Sequence, residues 1–122
     1  VLCEHRTFDI DYYKNLYSFD IGISPFQTEN LRTKGKIAMK HQEFLLCGIP
    51  QVCSPVAISE FVDNNVHVLI ARNNEEWYTC LDKLLTDNIL RHDLGKNSID
   101  LFRNYYCFEQ QYPGLKNILT TL

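Results

Sequence analysis

The sequence predicts an α/β domain in which a parallel sheet carries helices on its faces. Short aliphatic runs alternate along the chain with longer segments whose apolar residues recur at helical spacing. The run at residues 66–71 is almost wholly aliphatic, as is typical of a strand that is buried on both faces. With 122 residues, of which 45% are hydrophobic and 22% charged, the chain has the size and composition of one domain.

Four strands are predicted, at residues 1–3, 19–24, 51–54 and 66–71. Proline follows the second of them at position 25 and ends it, because proline has no N–H group to donate to a sheet. Each connection between parallel strands should cross over in the right-handed sense. Four strands are few for a free-standing domain of this class, so we expect the first strands of the domain to lie before residue 1.

Helices are predicted between these strands. The first begins at Asp9, whose side chain is suited to an N-cap, and continues to Tyr17. The second spans residues 35–47, and the glycine and proline that follow it are typical of a helix end. One or two helical turns are predicted at residues 57–62.

The last third of the chain is predicted to be helical. Asn73 and Glu76 have the spacing of a capping box, and they open a helix with a regular apolar stripe. A second helix starts at residues 87–88 and continues to Tyr105. A proline and a glycine at positions 113 and 114 precede a last amphipathic turn.

Charge and composition exclude several classes of protein. A net charge of -3 with a sequence pI near 5.7 argues against nucleic-acid binding. The longest apolar stretches fall far below the roughly 20 residues of a membrane-spanning helix. Five cysteines without a CxxC pair, and four histidines without i, i+4 spacing, predict reduced core residues and no metal site. No signal peptide is visible, so we expect a cytoplasmic location, at the membrane periphery in the parent protein.

The carboxyl ends of parallel strands form the usual binding edge of such a sheet. Lys34 and Lys36 precede the second predicted helix or lie in its first turn, and Lys40 follows one turn later. Because a helix amino end already attracts anions, this region predicts a phosphate site. Glu43 lies near the same helix face, and its carboxylate is suited to accept hydrogen bonds from sugar hydroxyls. The alternative is a solvated face with an ordinary ion pair between Lys40 and Glu43.

Other polar residues give weaker indications. Glu60 can line the crevice or simply belong to a helix start, and His41 is an acid or base candidate without an identified partner. Ser24 and Ser54 lack the G-x-S-x-G context of a nucleophile. The glycine patterns of P-loop and dinucleotide-binding proteins do not occur.

Three stretches of the chain together resemble one family. They read D-I-G-I-S-P-F at residues 20–26, K-x-x-x-K-x-x-E-F at 36–44 and C-G-I-P-Q-V at 47–52. This succession resembles the carboxyl-terminal, donor-binding domain of glycosyltransferases of the GT-B architecture, which have two Rossmann-like domains, and particularly the retaining type grouped as family four. The likeness extends over nearly the whole chain, although only residues 20–52 are specific.

The resemblance implies that residues 1–122 are part of a domain that binds a nucleotide-diphosphate sugar. Glu43 matches the glutamate that binds the ribose in that family, whereas the preceding glutamate of the motif is replaced by Gly35. Lys36 would contact the diphosphate or the sugar, and Lys40 would contact the donor or orient Glu43. The other donor-binding residues are expected at the ends of the strands, namely Pro25, Phe26 and Ser54.

The same resemblance implies a transferase that needs no cofactor or metal, with cations and a helix amino end stabilising the leaving group. An amino-terminal domain outside this chain would bind a glycan or lipid-linked acceptor, so the 122 residues alone should bind donor weakly and transfer nothing. No catalytic residue is assigned. Gly35 supports the alternative of a non-catalytic Rossmann-like module. A flavodoxin-like or receiver-like domain is disfavoured, because no acidic triplet lies at the strand ends.

Overall fold

The computed structural model describes residues 10–121 of the chain. Over these residues a helix precedes the first strand, two helices separate the first and second strands, no helix separates the second and third, and three consecutive helices follow. In chain order they are α1 (Ile10–Leu16), β1 (Gly22–Ser24), α2 (Leu31–Lys34), α3 (Met39–Cys47), β2 (Gln51–Cys53), β3 (Leu69–Ile70), α4 (Asn74–Thr86), α5 (Asn88–Tyr105) and α6 (Phe108–Thr121).

The three described strands form one parallel sheet in the order β1-β2-β3. Ile23 pairs with Val52, which pairs in turn with Leu69. The predicted α/β class with a parallel sheet and flanking helices is therefore confirmed. The strands are shorter than predicted, and the strand expected at residues 1–3 lies outside the described residues.

Consecutive residues of β2 face opposite sides of the sheet, as strand geometry requires. Cys53 packs with Leu45 of α3 and Leu101 of α5 in one core cluster. Val52 packs with Leu84 of α4 and Leu94 of α5 in the other. The side chains of Val52 and Cys53 are both fully buried, so β2 is the centre of the described sheet.

Helix α3 ends as predicted and packs very closely against α5. Gly48 adopts the left-handed conformation, with φ 65°, that closes a helix at its carboxyl end. Its carbonyl oxygen faces Gly95 of α5 so closely that a Cβ atom at Gly95 would lie only 2.4 Å away. At Gly95 the two segments therefore meet backbone to backbone, while the side chain of Ile99 packs against Gly48.

Helix α3 begins later than predicted. Residue 38 has extended geometry, with ψ 127°, and the helix starts at Met39 instead of at residue 35. The polar loop before it contains the single turn α2, whose N-cap Asn30 accepts a hydrogen bond from the N–H of Arg32 at 2.9 Å. Lys36 consequently lies between two helices and does not share a face of α3 with Lys40.

The helical turns predicted at residues 57–62 are wrong. Ala57 has a positive φ of 60°, which interrupts a right-handed helix. The carbonyl of Ala57 instead accepts a hydrogen bond from the N–H of Ala38 at 2.8 Å. The apolar spacing of Ile58 and Val62 arises because both side chains pack into the core.

Helices α4 and α5 confirm the predicted starts. The side chain of Asn73 accepts from the N–H of Glu76 at 2.9 Å, and that of Asp87 accepts from the N–H of Leu90 at 2.9 Å. The last amphipathic turn, predicted after Pro113 and Gly114, is part of a longer helix, since α6 begins at Phe108 and continues through Pro113. Pro113 lies in the second turn, where its missing N–H removes one hydrogen bond to the carbonyl of Glu109. No helix among residues 10–121 is long and apolar enough to cross a membrane.

A buried polar pair links α3 to the start of β2. His41 and Gln51 are both fully buried, with 2.9 Å between Nδ1 and Oε1. The Gln51 Nε2 group donates to the backbone carbonyl of His41 at 3.2 Å, so Gln51 Oε1 accepts from the protonated Nδ1. Burial lowers the pKa of His41 below its ordinary value of 6.5.

The Gly48–Gly95 contact predicts a sharp cost for one added methyl group. We expect Gly95→Ala to lower the free energy of unfolding by about 2 kcal/mol or more, because the new Cβ pushes the two backbones apart. Gly114→Ala in α6 is the matched control. Outside the adjoining residues of α6 itself, no atom of the described chain lies within 4 Å of a Cβ built at that position. It should raise stability by up to about 1 kcal/mol. Urea denaturation measures the free energy of unfolding of both variants. Equal changes in the two would contradict the close packing at Gly95.

Stability should fall in acid because of His41. The folded-state pKa lies below the unfolded value, so below about pH 6.5 the unfolded chain binds more protons and the free energy of unfolding decreases as pH falls. The slope from this one group reaches at most about 1.4 kcal/mol per pH unit. Urea denaturation of the unmodified protein between pH 5 and 8 should show the free energy of unfolding decreasing towards acid. In His41→Gln this decrease should be smaller. His92→Gln, at an exposed position, should not reduce it.

Candidate functional site

The carboxyl ends of β1 and β2 form the edge of the sheet at which ligands bind in this class of fold. The ladder continues one step past the strands, where the N–H of Ser54 donates to the carbonyl of Ser24 at 3.1 Å. Both serines are buried. The two chain segments that leave this edge therefore start from a fixed separation.

Ser54 holds the loop that follows β1. Its Oγ accepts a hydrogen bond from the N–H of Phe26 at 2.9 Å and donates to the carbonyl of Phe26 at 3.2 Å. Pro25, which precedes Phe26, is exposed beside this contact. The structure thus brings three of the predicted donor-binding residues together and shows that the Ser54 hydroxyl fixes backbone there.

The remainder of this loop folds back on itself through Thr33. The Thr33 hydroxyl lies 2.6 Å from the carbonyl oxygen of Gln27 and 2.7 Å from that of Asn30. Thr33 is buried although it belongs to a single helical turn. The loop therefore has internal structure of its own.

Lys36 lies over the ring of Phe26, with 5.3 Å from Nζ to the ring centroid. A lysine ammonium group at this distance is attracted by the negative face of an aromatic ring. The contact places an exposed positive charge beside the loop that Ser54 holds. Ser54, Phe26 and Lys36 thus form one connected set, which we call the edge cluster.

The start of α3 has no side-chain cap in the described part of the chain. Its N-cap is Ala38, whose methyl side chain cannot accept from the first-turn N–H groups, and no other side chain among residues 10–121 caps them. The N–H of Ala38 itself donates to Ala57. Lys40 lies exposed in the first turn. A positive helix end, Lys36 and Lys40 together favour an anion here.

Glu43 faces α1 and makes no hydrogen bond or ion pair with the edge cluster among the described residues. Only 7% of its surface is exposed, and its Oε2 accepts a hydrogen bond from the hydroxyl of Tyr12 at 2.8 Å. Lys40 makes no ion pair with Glu43 in the described part of the chain. The simple surface ion pair considered as an alternative is therefore wrong.

Tyr12 is not among the site residues predicted from the sequence. The residue is separated from Glu43 by 31 positions, and nothing in the local pattern of α1 distinguishes it from Tyr13. Burial and the hydrogen bond to Glu43 raise the pKa of Tyr12 to about 12. Its hydroxyl is therefore protonated, and able to donate, at neutral pH.

The other candidates differ in their surroundings. His41 is enclosed in the core, which explains its lack of a catalytic partner. Glu60 is exposed on the irregular segment after β2. Gly35 ends α2 in open space, since a Cβ there would meet only the carbonyl oxygen of Leu31 at 3.8 Å. Among residues 10–121, no group of three or more His, Cys, Asp or Glu side chains is arranged to hold a metal ion.

Comparisons with known proteins bear on the fold. No family model matches the chain, and no curated protein matches it. Three chains of solved structures do. One is the C-terminal domain of a glycosyl transferase group 1 family protein (LpcC) from Francisella tularensis. That match has a TM-score of 0.65 at 16% sequence identity, and covers 86% of this chain.

The chain therefore has the fold of a glycosyltransferase C-terminal domain. It spans about half of the solved chain, 53% of its length. The expected GT-B class of fold is confirmed, and the sheet edge described above is the carboxyl edge of that fold.

Proposed function

We propose that this chain is part of the donor-binding domain of a glycosyltransferase and binds a nucleotide-diphosphate sugar at the carboxyl edge of its sheet. The diphosphate lies at the open start of α3, between Lys36 and Lys40. The ribose hydroxyls are bound by Glu43. A separate domain binds the glycan or lipid-linked acceptor.

One observation carries this proposal, namely the combination of the edge cluster with a helix start that no side chain caps. The first turn of α3 leaves N–H groups for an anion, and Lys36 is held beside it by Phe26. The likeness of the fold to a glycosyltransferase domain supports the choice of a nucleotide sugar among phosphate-containing ligands.

The arrangement is suited to glycosyl transfer because negative charge develops on the leaving nucleoside diphosphate. Lysine ammonium groups and backbone N–H groups that are already in place stabilise such charge without reorganisation. In the proposal, Lys36, Lys40 and the start of α3 supply that stabilisation. Retention of configuration and transfer without a metal ion belong to the proposal by likeness to family four.

Calorimetric titration with ADP, GDP and UDP in the presence of EDTA tests the binding site. We expect one of the three to bind and Lys36→Ala to weaken it about tenfold, which corresponds to roughly 1.4 kcal/mol for a lost charge-assisted contact. Lys116→Ala, at an exposed position of α6, is the matched control and should leave the affinity unchanged.

Two results would contradict the proposal. The first is that no nucleoside diphosphate binds to the intact protein. The second is that Lys36→Ala and Lys116→Ala have the same effect, because the attraction would then come from net charge and not from the edge cluster. Transfer from the matching sugar nucleotide to an acceptor, measured with the intact protein, separates an enzyme from a module that only binds.

A further inference from the structure

The orientation of the Glu43 carboxylate is determined by a residue from another helix. Oε2 accepts the hydrogen bond from Tyr12 at 2.8 Å, and no hydrogen bond to Oε1 is found among residues 10–121. A carboxylate has acceptor positions on both oxygens. One oxygen of Glu43 is therefore held by the protein while the other remains available to a donor.

The Tyr12 ring is itself held in place. It packs against the cluster that joins α1 to α3, which contains Leu16, Phe44 and Cys47. Its edge also contacts the ring of Tyr13, with 5.2 Å between the centroids and 83° between the planes. The hydroxyl is thus presented to Glu43 by a ring that has little freedom to turn.

The chemical type of the hydrogen-bond donor to Glu43 matters as much as its position. A lysine or arginine in place of Tyr12 would neutralise the carboxylate, whereas a tyrosine hydroxyl fixes one oxygen and leaves the negative charge in place. Burial and the hydrogen bond raise the pKa of Tyr12 to about 12, so the proton stays on the tyrosine. Hydrogen bonds from neutral hydroxyls to a charged carboxylate are stronger than those to a neutral acceptor.

We propose that Tyr12 is a positioning residue for nucleotide binding: it holds Glu43 in the orientation in which the second carboxylate oxygen accepts from a ribose hydroxyl. This inference rests on the proposed function, because it requires the ribose to lie at Glu43. Without Tyr12, the glutamate side chain would have to give up rotational freedom each time a nucleotide binds.

The test uses the nucleoside diphosphate that binds the intact protein most tightly among ADP, GDP and UDP, together with its 2′,3′-dideoxy analogue. Tyr12→Phe should weaken the ribonucleotide roughly three- to tenfold, the range expected for one hydrogen bond. The same variant should leave the dideoxy analogue unchanged, because that ligand has no hydroxyl for Glu43. Glu43→Gln should also weaken the ribonucleotide selectively.

A matched control removes a tyrosine hydroxyl far from Glu43 in the sequence. Tyr78→Phe changes a tyrosine of α4 that is 75% exposed, and it should bind both nucleotides as the unmodified protein does. Thermal unfolding of each variant establishes that it is folded at the temperature of the titration.

The possible failures are distinguishable. If Tyr12→Phe weakens both nucleotides equally, Tyr12 has a purely structural role and the inference is overturned while the proposed function stands. If it weakens neither, the inference is overturned in the same way. If no nucleotide binds to the unmodified protein, the proposed function fails and the inference fails with it.

Discussion

The backbone contact between Gly48 and Gly95 is the constraint on which the arrangement of the helices depends. Because neither residue has a side chain, α3 approaches α5 until a carbonyl oxygen nearly touches the opposite helix. This close approach of the two helices allows Leu45 of α3 and Leu101 of α5 to share one core cluster with β2. A wider separation would leave a gap in that core and move the start of α3 away from the edge of the sheet.

The parts of the fold that sequence predicts well are those that depend on neighbouring residues. The starts of α4 and α5 are predictable from Asn73 and Asp87, whose side chains accept hydrogen bonds from N–H groups three residues further on. The irregular segment after β2 is different. Ile58 and Val62 have helical spacing, but a left-handed Ala57 and a distant partner, Ala38, decide its backbone.

The candidate site shows the same division between local and distant determinants. The glycine, proline and lysine positions around α3 predict an anion site, because the amino end of a helix attracts anions. Where each side chain points was not predictable. Ser54 bonds to the backbone of Phe26, and Glu43 turns to Tyr12, through contacts that span 28 and 31 residues respectively. Such pairings become visible only when the chain is folded.

The hydrogen bonds around Ser54 and Ala57 also bear on the association rate of the proposed ligand. They fix the loop after β1 and the start of α3 through contacts within the protein itself. A surface that is formed in advance requires no slow rearrangement after encounter, so association would be limited by diffusion and by the attraction of the lysines for an anion. For the proposed nucleotide ligands, the residence time, and not the association rate, would then differ most from one to another.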